Sequence, residues 1–171
     1  MTVVQLDISH RDAFLRMLDD YAANDPEPGR SYEKGRESFD VYLEYLKLDE
    51  QGIDIPEGHA ASSHRWLIDE HGEIVGIVRT RHHIDTPFLF DEVGHIGYDV
   101  PPAYRGKGFG IASLRAGLVA AREVGLTKVL ICADDANPPS WRTIERCGGV
   151  FERSYWSEHW NCEVRRYWIE L

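Results

Sequence analysis

The sequence is short of several things, and each shortage removes a class of protein. Among its 171 residues there are only three cysteines, Cys132, Cys147 and Cys162. An odd number without C-x-x-C spacing argues against a disulfide framework and for reduced thiols in a cytoplasmic setting. Metal-ligand spacing is missing too. His82 and His83 are neighbours that a strand would turn to opposite faces, and His159-x-x-Cys162 is one pair without a second, so we expect no metal. No apolar run approaches membrane-spanning length, and the opening MTVVQLDISHRD lacks the basic and apolar regions of a signal peptide. We therefore expect no membrane association. Net positive charge is also absent. A formal charge of −10 sets the averaged field against nucleic acid and toward cationic or neutral small molecules. The length suits one domain, residues 1–171, with one sizeable core.

What is present is a succession of strand and helix patterns. VVQLDI (3–8) alternates as a short strand. Ser9 then fits an N-cap for a helix with Phe14, Met17, Leu18 and Tyr21 at helical spacing. ANDPEPGR (23–30) breaks that helix, and a second is predicted over about 32–48, with Phe39, Tyr42, Leu43 and Leu46 on one stripe. HRWLIDE and EIVGIVRTRHHI form a hairpin around His71-Gly72. EVGHIGYDV (92–100) reads as a strand stopped by Pro101-Pro102. A helix follows from about Gly108 to Val124, with Ile111, Leu114, Leu118 and Ala121 on its inner face, closed by Gly125. KVLICA (128–133) reads as a strand covered on both faces, Ser140–Cys147 as a short helix, and two strands near 150–156 and 163–170 end the chain. This order predicts a mixed α/β sheet, not a bundle or a barrel.

The stretch YRGKGFGIA (104–112) crowds three alternate glycines against two cations just before a helix. It is not a dinucleotide fingerprint, because G-x-G-x-x-G would need glycine at Ile111 or Ser113. Nor does it supply the G-K-[ST] of a P-loop. What remains is strand, Pro-Pro, Arg-x-x-Gly-x-Gly, helix. Glycines at 106, 108 and 110 let backbone N–H groups approach an anion closely. The helix N-terminus favours negative charge, and Arg105 and Lys107 add to it. A pyrophosphate suits such a loop; the alternative is a glycine-rich turn that only caps a surface helix.

Arg105-x-x-Gly108-x-Gly110, after a strand and before a helix, resembles the acyl-CoA pyrophosphate loop of the GNAT N-acetyltransferase superfamily. Asn137-Pro138-Pro139-Ser140 through Cys147-Gly148-Gly149 resembles that superfamily's next segment, and the element order over residues 3–170 fits as well. The resemblance implies a single-domain α/β fold: a mixed, largely antiparallel sheet flanked by helices, with the strands ending YDV and KVLICA forming a parallel pair that splays apart. It implies acetyl-CoA as co-substrate. The pantetheine arm would hydrogen-bond to the backbone near Asp99 and Val100, and the pyrophosphate would lie on Arg105, Gly106, Lys107, Gly108, Phe109, Gly110 and Ile111. Asn137 and Ser140 would sit beside the pantetheine or the leaving sulfur.

Acetyl transfer to an amine needs a deprotonated nucleophile, a stabilised carbonyl oxygen and a proton for the departing thiolate. Positioning supplies much of the rate, and the Val100 N–H is the expected oxyanion donor. Many family members carry a proton-donating Tyr four residues after the Ser/Ala position; here that residue is Ile144. Ser140, Tyr104 or a water would have to substitute. Cys147 at a helix end reads as packing. For the base, alternation along 92–100 places Val93, His95, Gly97 and Asp99 on one face and Glu92, Gly94, Ile96, Tyr98 and Val100 on the other. His95 could accept the amine proton directly, because its ordinary pKa is near neutral, and Glu92 could do so through water. Asp25, Glu27, Glu33, Glu37, Asp85, Asp91 and Glu92 fall in segments expected to form the acceptor mouth, which would favour a cationic amine. Tyr155, Trp156, Trp160, Tyr167 and Trp168 suit core or homodimer packing. The expected activity is therefore acetyl-CoA-dependent N-acetyl transfer to a primary amine of a small molecule or peptide. The alternative is a non-catalytic acyl-CoA-binding or sensing module of the same fold.

Overall fold

The computed structural model describes all 171 residues. Seven strands form two antiparallel sheets. The first orders β1 (Thr2–Val4), β2 (Ser62–Ile68), β3 (Ile74–Arg81) and β4 (Ile96–Asp99) as β1-β2-β3-β4. The second orders β5 (Lys128–Asp134), β6 (Val150–Ser157) and β7 (Cys162–Glu170) as β5-β7-β6. Helices cover both faces of the first sheet. On one face lie α1 (Arg11–Asn24) and α4 (Phe39–Gln51), joined through the short turns α2 (Pro26–Gly29) and α3 (Lys34–Glu37). On the other lies α5 (Phe109–Glu123), with α6 (Pro138–Arg146) beside it.

The helical stripes read from the sequence are the ones that bury. Phe14, Met17, Leu18 and Tyr21 of α1 and Phe39, Tyr42 and Leu46 of α4 close on Trp66 and Ile77. Leu114, Leu118 and Ala121 of α5 meet Val78, Ile96 and Ile131 on the opposite side. Each large apolar side chain buried this way contributes about 1.5–3 kcal/mol.

Three regions differ from expectation. The strand predicted over 3–8 spans only Thr2–Val4, because Asp7, not Ser9, caps a 3-10 turn at Ile8–His10 that leads into α1. The helix predicted over 32–48 is interrupted, because Ser38 is extended (φ −153°, ψ 106°). The interruption lets Gly35 sit on the Phe14 ring, where an added Cβ would lie 2.5 Å away, and brings Phe39 to 5.1 Å from Phe14. The strand predicted over 92–100 is shorter, since Leu89–Val93 winds as a single π-helical turn. Tyr155 and Arg166 reach the carbonyls of this turn, Arg166 Nη1 donating to Phe90 at 2.7 Å, and draw it toward the second sheet. Gly94 then reverses the chain at φ +75°, a conformation only glycine adopts without strain.

The two sheets meet at one place. The His95 N–H donates to the Leu130 carbonyl at 2.7 Å, and the Leu130 N–H donates to His95 Nδ1 at 2.9 Å. The parallel pairing expected of β4 and β5 is not formed as a ladder: a single antiparallel bridge joins Gly94 to Ile131. Beyond it the strands share no hydrogen bonds, so a gap opens along β4.

Candidate active site

The gap exposes one strand edge. Arg81 donates its N–H to His95 at 2.8 Å, and β3 pairs Arg79 with Gly97 and Ile77 with Asp99. In an antiparallel ladder hydrogen-bonded pairs alternate with unbonded ones. Tyr98, between two bonded pairs, therefore turns its own N–H and C=O away from β3 and into the gap. The sequence had suggested Val100 as the oxyanion donor, but its N–H is already given to Asp99 Oδ1 at 2.7 Å. The same alternation turns the N–H of Ile96 and of Tyr98 to the gap, and Tyr98 is the one next to Asp99.

The glycine loop lies at the end of the same strand. Gly106 and Gly108 have φ of +74° and +86°, and an added Cβ at either would meet nothing within 4 Å. Gly108 is the N-cap of α5 with no side-chain cap. The N–H groups of Gly106, Lys107, Gly108, Phe109 and Gly110 have no acceptor anywhere in the chain. Five successive donors at the start of a four-turn helix form a ready anion cradle. The residues present thus fit a bound pyrophosphate. Ile111, in the first turn, spends its N–H on Gly108 at 3.1 Å.

The two cations of the loop lie elsewhere. Arg105 donates Nε to the Val100 carbonyl at 3.0 Å and pairs with Asp25 at 2.8 Å, bracing the loop against β4 and the end of α1. Lys107 donates to the Ala103 carbonyl at 2.9 Å and sits over the Tyr104 ring.

Across the gap, Asn137 caps α6 by accepting the Ser140 N–H at 3.3 Å. The Tyr98 hydroxyl, which sequence reasoning missed, donates to the Ser140 carbonyl at 2.9 Å and lies 3.1 Å from Ser140 Oγ. Burial raises the Tyr98 pKa, so this phenol stays protonated. Ile144 is fully buried in the core beneath. Burial also raises the Cys147 thiol, leaving it a packing residue.

The base candidates separate. His95 is 6% exposed, and its Nδ1 lone pair already accepts the Leu130 N–H. Burial and the neighbouring Arg81 push its pKa down to about 4. The neutral ring carries its proton on the other nitrogen, so no lone pair remains for an amine proton; the expectation for His95 is corrected to a structural role. Glu92 is not on the strand at all. Its Oε2 accepts from Ser157 Oγ at 2.6 Å and from the Tyr155 hydroxyl at 3.2 Å, which commits it to the β6–β7 hairpin. Asp99, singled out earlier only for its backbone, has the better-placed carboxylate. It lies on the β4 face turned toward α1, beside the buried Tyr21 hydroxyl. Burial raises its pKa above the ordinary carboxylate value, against the lowering by its hydrogen bonds and Arg105.

The acidic mouth is largely neutralised. Asp25 pairs with Arg105, Glu27 with Arg30 at 2.9 Å, Glu33 with Arg36 at 3.3 Å, and Asp91 with Arg153 and Arg166 at 3.7 Å, while Asp85 faces His83 at 3.2 Å. No group of three or more His, Cys, Asp or Glu side chains is gathered to hold a metal. No helix is long and apolar enough to cross a membrane. A surface groove lined by Gln5, Asp40, Glu44 and Lys47 shares no residue with the loop.

A strand edge opened by splay, an anion cradle at the next helix and a capped helix across the gap define a CoA-dependent acyltransferase fold. The family model for the GNAT acetyltransferases matches residues 17–149, and the chain belongs to that family. Among solved structures, it is similar to a ribosomal L7/L12 alpha-N-protein acetyltransferase in complex with coenzyme A, at TM-score 0.70 and 17% identity, covering 99% of this chain and 93% of that one. A microcin C7 self-immunity acetyltransferase in complex with acetyl-CoA and AMP gives TM-score 0.70 and 16% identity, with 99% and 92% covered. A spermidine N-acetyltransferase from Vibrio cholerae gives 0.60 and 17%, with 99% and 95% covered. At these identities the likeness is one of fold. No curated protein matches the chain in sequence.

Proposed function

We propose that residues 1–171 form one acyl-CoA-binding domain that moves an acetyl group from acetyl-CoA directly to a primary amine of a small molecule or peptide. The observation that carries this reading is the run of five unpaired N–H groups at 106–110, placed next to the open edge of β4. The cradle holds the pyrophosphate. The Tyr98 N–H stabilises the carbonyl oxygen as negative charge builds on it, at no reorganisation cost. Asp99 takes the proton of the attacking amine; its raised pKa brings it closer to the working range of a general base. The Tyr98 hydroxyl, with Ser140 Oγ, stands in for the tyrosine that Ile144 replaces and supplies the proton for the thiolate. The same reading places the protein in the cytoplasm. The exposed Val150, Phe151 and Trp156 of edge strand β6 suit a homodimer.

An acetyl-CoA-coupled screen over a panel of amines, with a CoA-binding control, tests the reading. We expect both binding and turnover. Binding without transfer to any amine would mark a non-catalytic acyl-CoA-binding module instead.

A further inference from the structure

The face of the first sheet that carries Asp99 also carries two arginines without counter-ions. Arg79 is the one exposed residue of β3, in a strand otherwise buried. It forms no ion pair and no side-chain hydrogen bond, unlike the acids of the mouth. Its cross-strand partner is Gly97, where an added Cβ would meet nothing within 4 Å, so the floor beside the guanidinium is open. Arg81, two residues on and on the same face, is 8% exposed, and its one side-chain hydrogen bond goes to the Gly94 carbonyl at 3.3 Å. Burial, and next the charge of Arg79, push its pKa down to about 9. A buried guanidinium without a carboxylate is costly, and a second one beside it makes the cost larger. An anion over Gly97 would relieve both.

The distance to the reacting end is short. Gly97 and Asp99 share one face of β4, and diagonal positions on neighbouring strands lie about 7–8 Å apart. A group that places nitrogen at Asp99 can therefore reach Arg79 only if its anion follows within a few bonds. Arg79 also offers the planar fork that matches a carboxylate.

We propose that the acceptor is an amino-acid-type zwitterion, an amine carrying a carboxylate a few bonds from its nitrogen, read by Arg79 over the open floor at Gly97. The proposal rests on the acetyl-transfer reading of the same gap, and replaces the cationic amine suggested by composition.

The test compares the common L-amino acids, their carboxamides, phosphoethanolamine and spermidine as acceptors. For the best amino acid we expect kcat/KM about tenfold or more above its carboxamide. Arg79→Gln should raise KM for the carboxylated amine about 10–100-fold, the worth of a charge-assisted bond, and remove the preference. Arg79→Lys should restore part of it, and the CoA-induced rise in Tm should survive in both variants. Preference for spermidine or phosphoethanolamine, or unchanged discrimination in Arg79→Gln, would overturn the proposal. If no amine is turned over, the acetyl-transfer reading fails separately. Calorimetric titration of the CoA-bound protein with the same amino acids then decides the anion site: binding that Arg79→Gln abolishes supports it, and no binding to the wild type refutes it.

Discussion

The Tyr98 hydroxyl donates to the Ser140 carbonyl at 2.9 Å, tying β4 to the first turn of α6 across the open gap. One residue thus carries both donors that the proposed transfer uses, its backbone N–H and its phenol.

Tyr98→Phe separates the two. The backbone N–H remains, so CoA binding should persist, while kcat falls about 100-fold if the phenol supplies the leaving-group proton. The lost hydrogen bond should cost about 1 kcal/mol of stability, checked by urea unfolding. An undiminished kcat would remove the phenol from the chemistry.

Asp99→Asn should lower kcat/KM about 100-fold and abolish the rise of rate with pH that reports its deprotonation. Because burial lifts its folded pKa, the carboxylate destabilises the fold once the pH exceeds its unfolded value. The asparagine variant should therefore melt higher than wild type at neutral pH, a stability gain with an activity loss. A variant that is both active and unchanged in Tm would contradict the assignment.

His95 should act on stability and not on rate. Its pKa of about 4 lies below the ordinary 6.5, so the folded state binds the proton less readily than the unfolded state. Stability should then be complete above about pH 6.5 and decline as the pH falls toward 4, by about 2–3 kcal/mol. His95→Gln should flatten that decline in thermal melts and leave the pH–rate profile in place. A displaced acid limb in that profile would restore His95 as a base.

The loop was legible because its chemistry is local: three glycines, a strand before and a helix after suffice to imply an anion cradle. The stripes of α1, α4 and α5 were legible for the same reason. Alternation along β4 also held from His95 to Asp99, and failed only at Glu92, where the π-helical turn and Gly94 intervene. What could not be read was anything set by distant partners. Asp99 owes its raised pKa to burial beside Tyr21 of α1, and His95 loses its lone pair to Leu130. Arg79 stands out because the acids nearby in sequence have found other cations. A tyrosine two residues before Val100 was the one available signal for Tyr98, and its meaning depended on Ser140, 42 residues away.

Gly108→Ala places a side chain at φ +86°, which should cost about 1–2 kcal/mol. Gly108→Glu adds a negative charge in the cradle and should abolish the CoA-induced rise in Tm. A normal rise in the glutamate variant would argue against the loop as the pyrophosphate site.

The most direct measurement is a titration of the 15N-labelled protein with CoA, following backbone amide resonances. We expect the amides of Gly106, Lys107, Gly108, Phe109 and Gly110 to shift together and saturate with the same Kd, with Tyr98 responding as well. Saturating CoA that leaves those five amides unmoved would contradict the account.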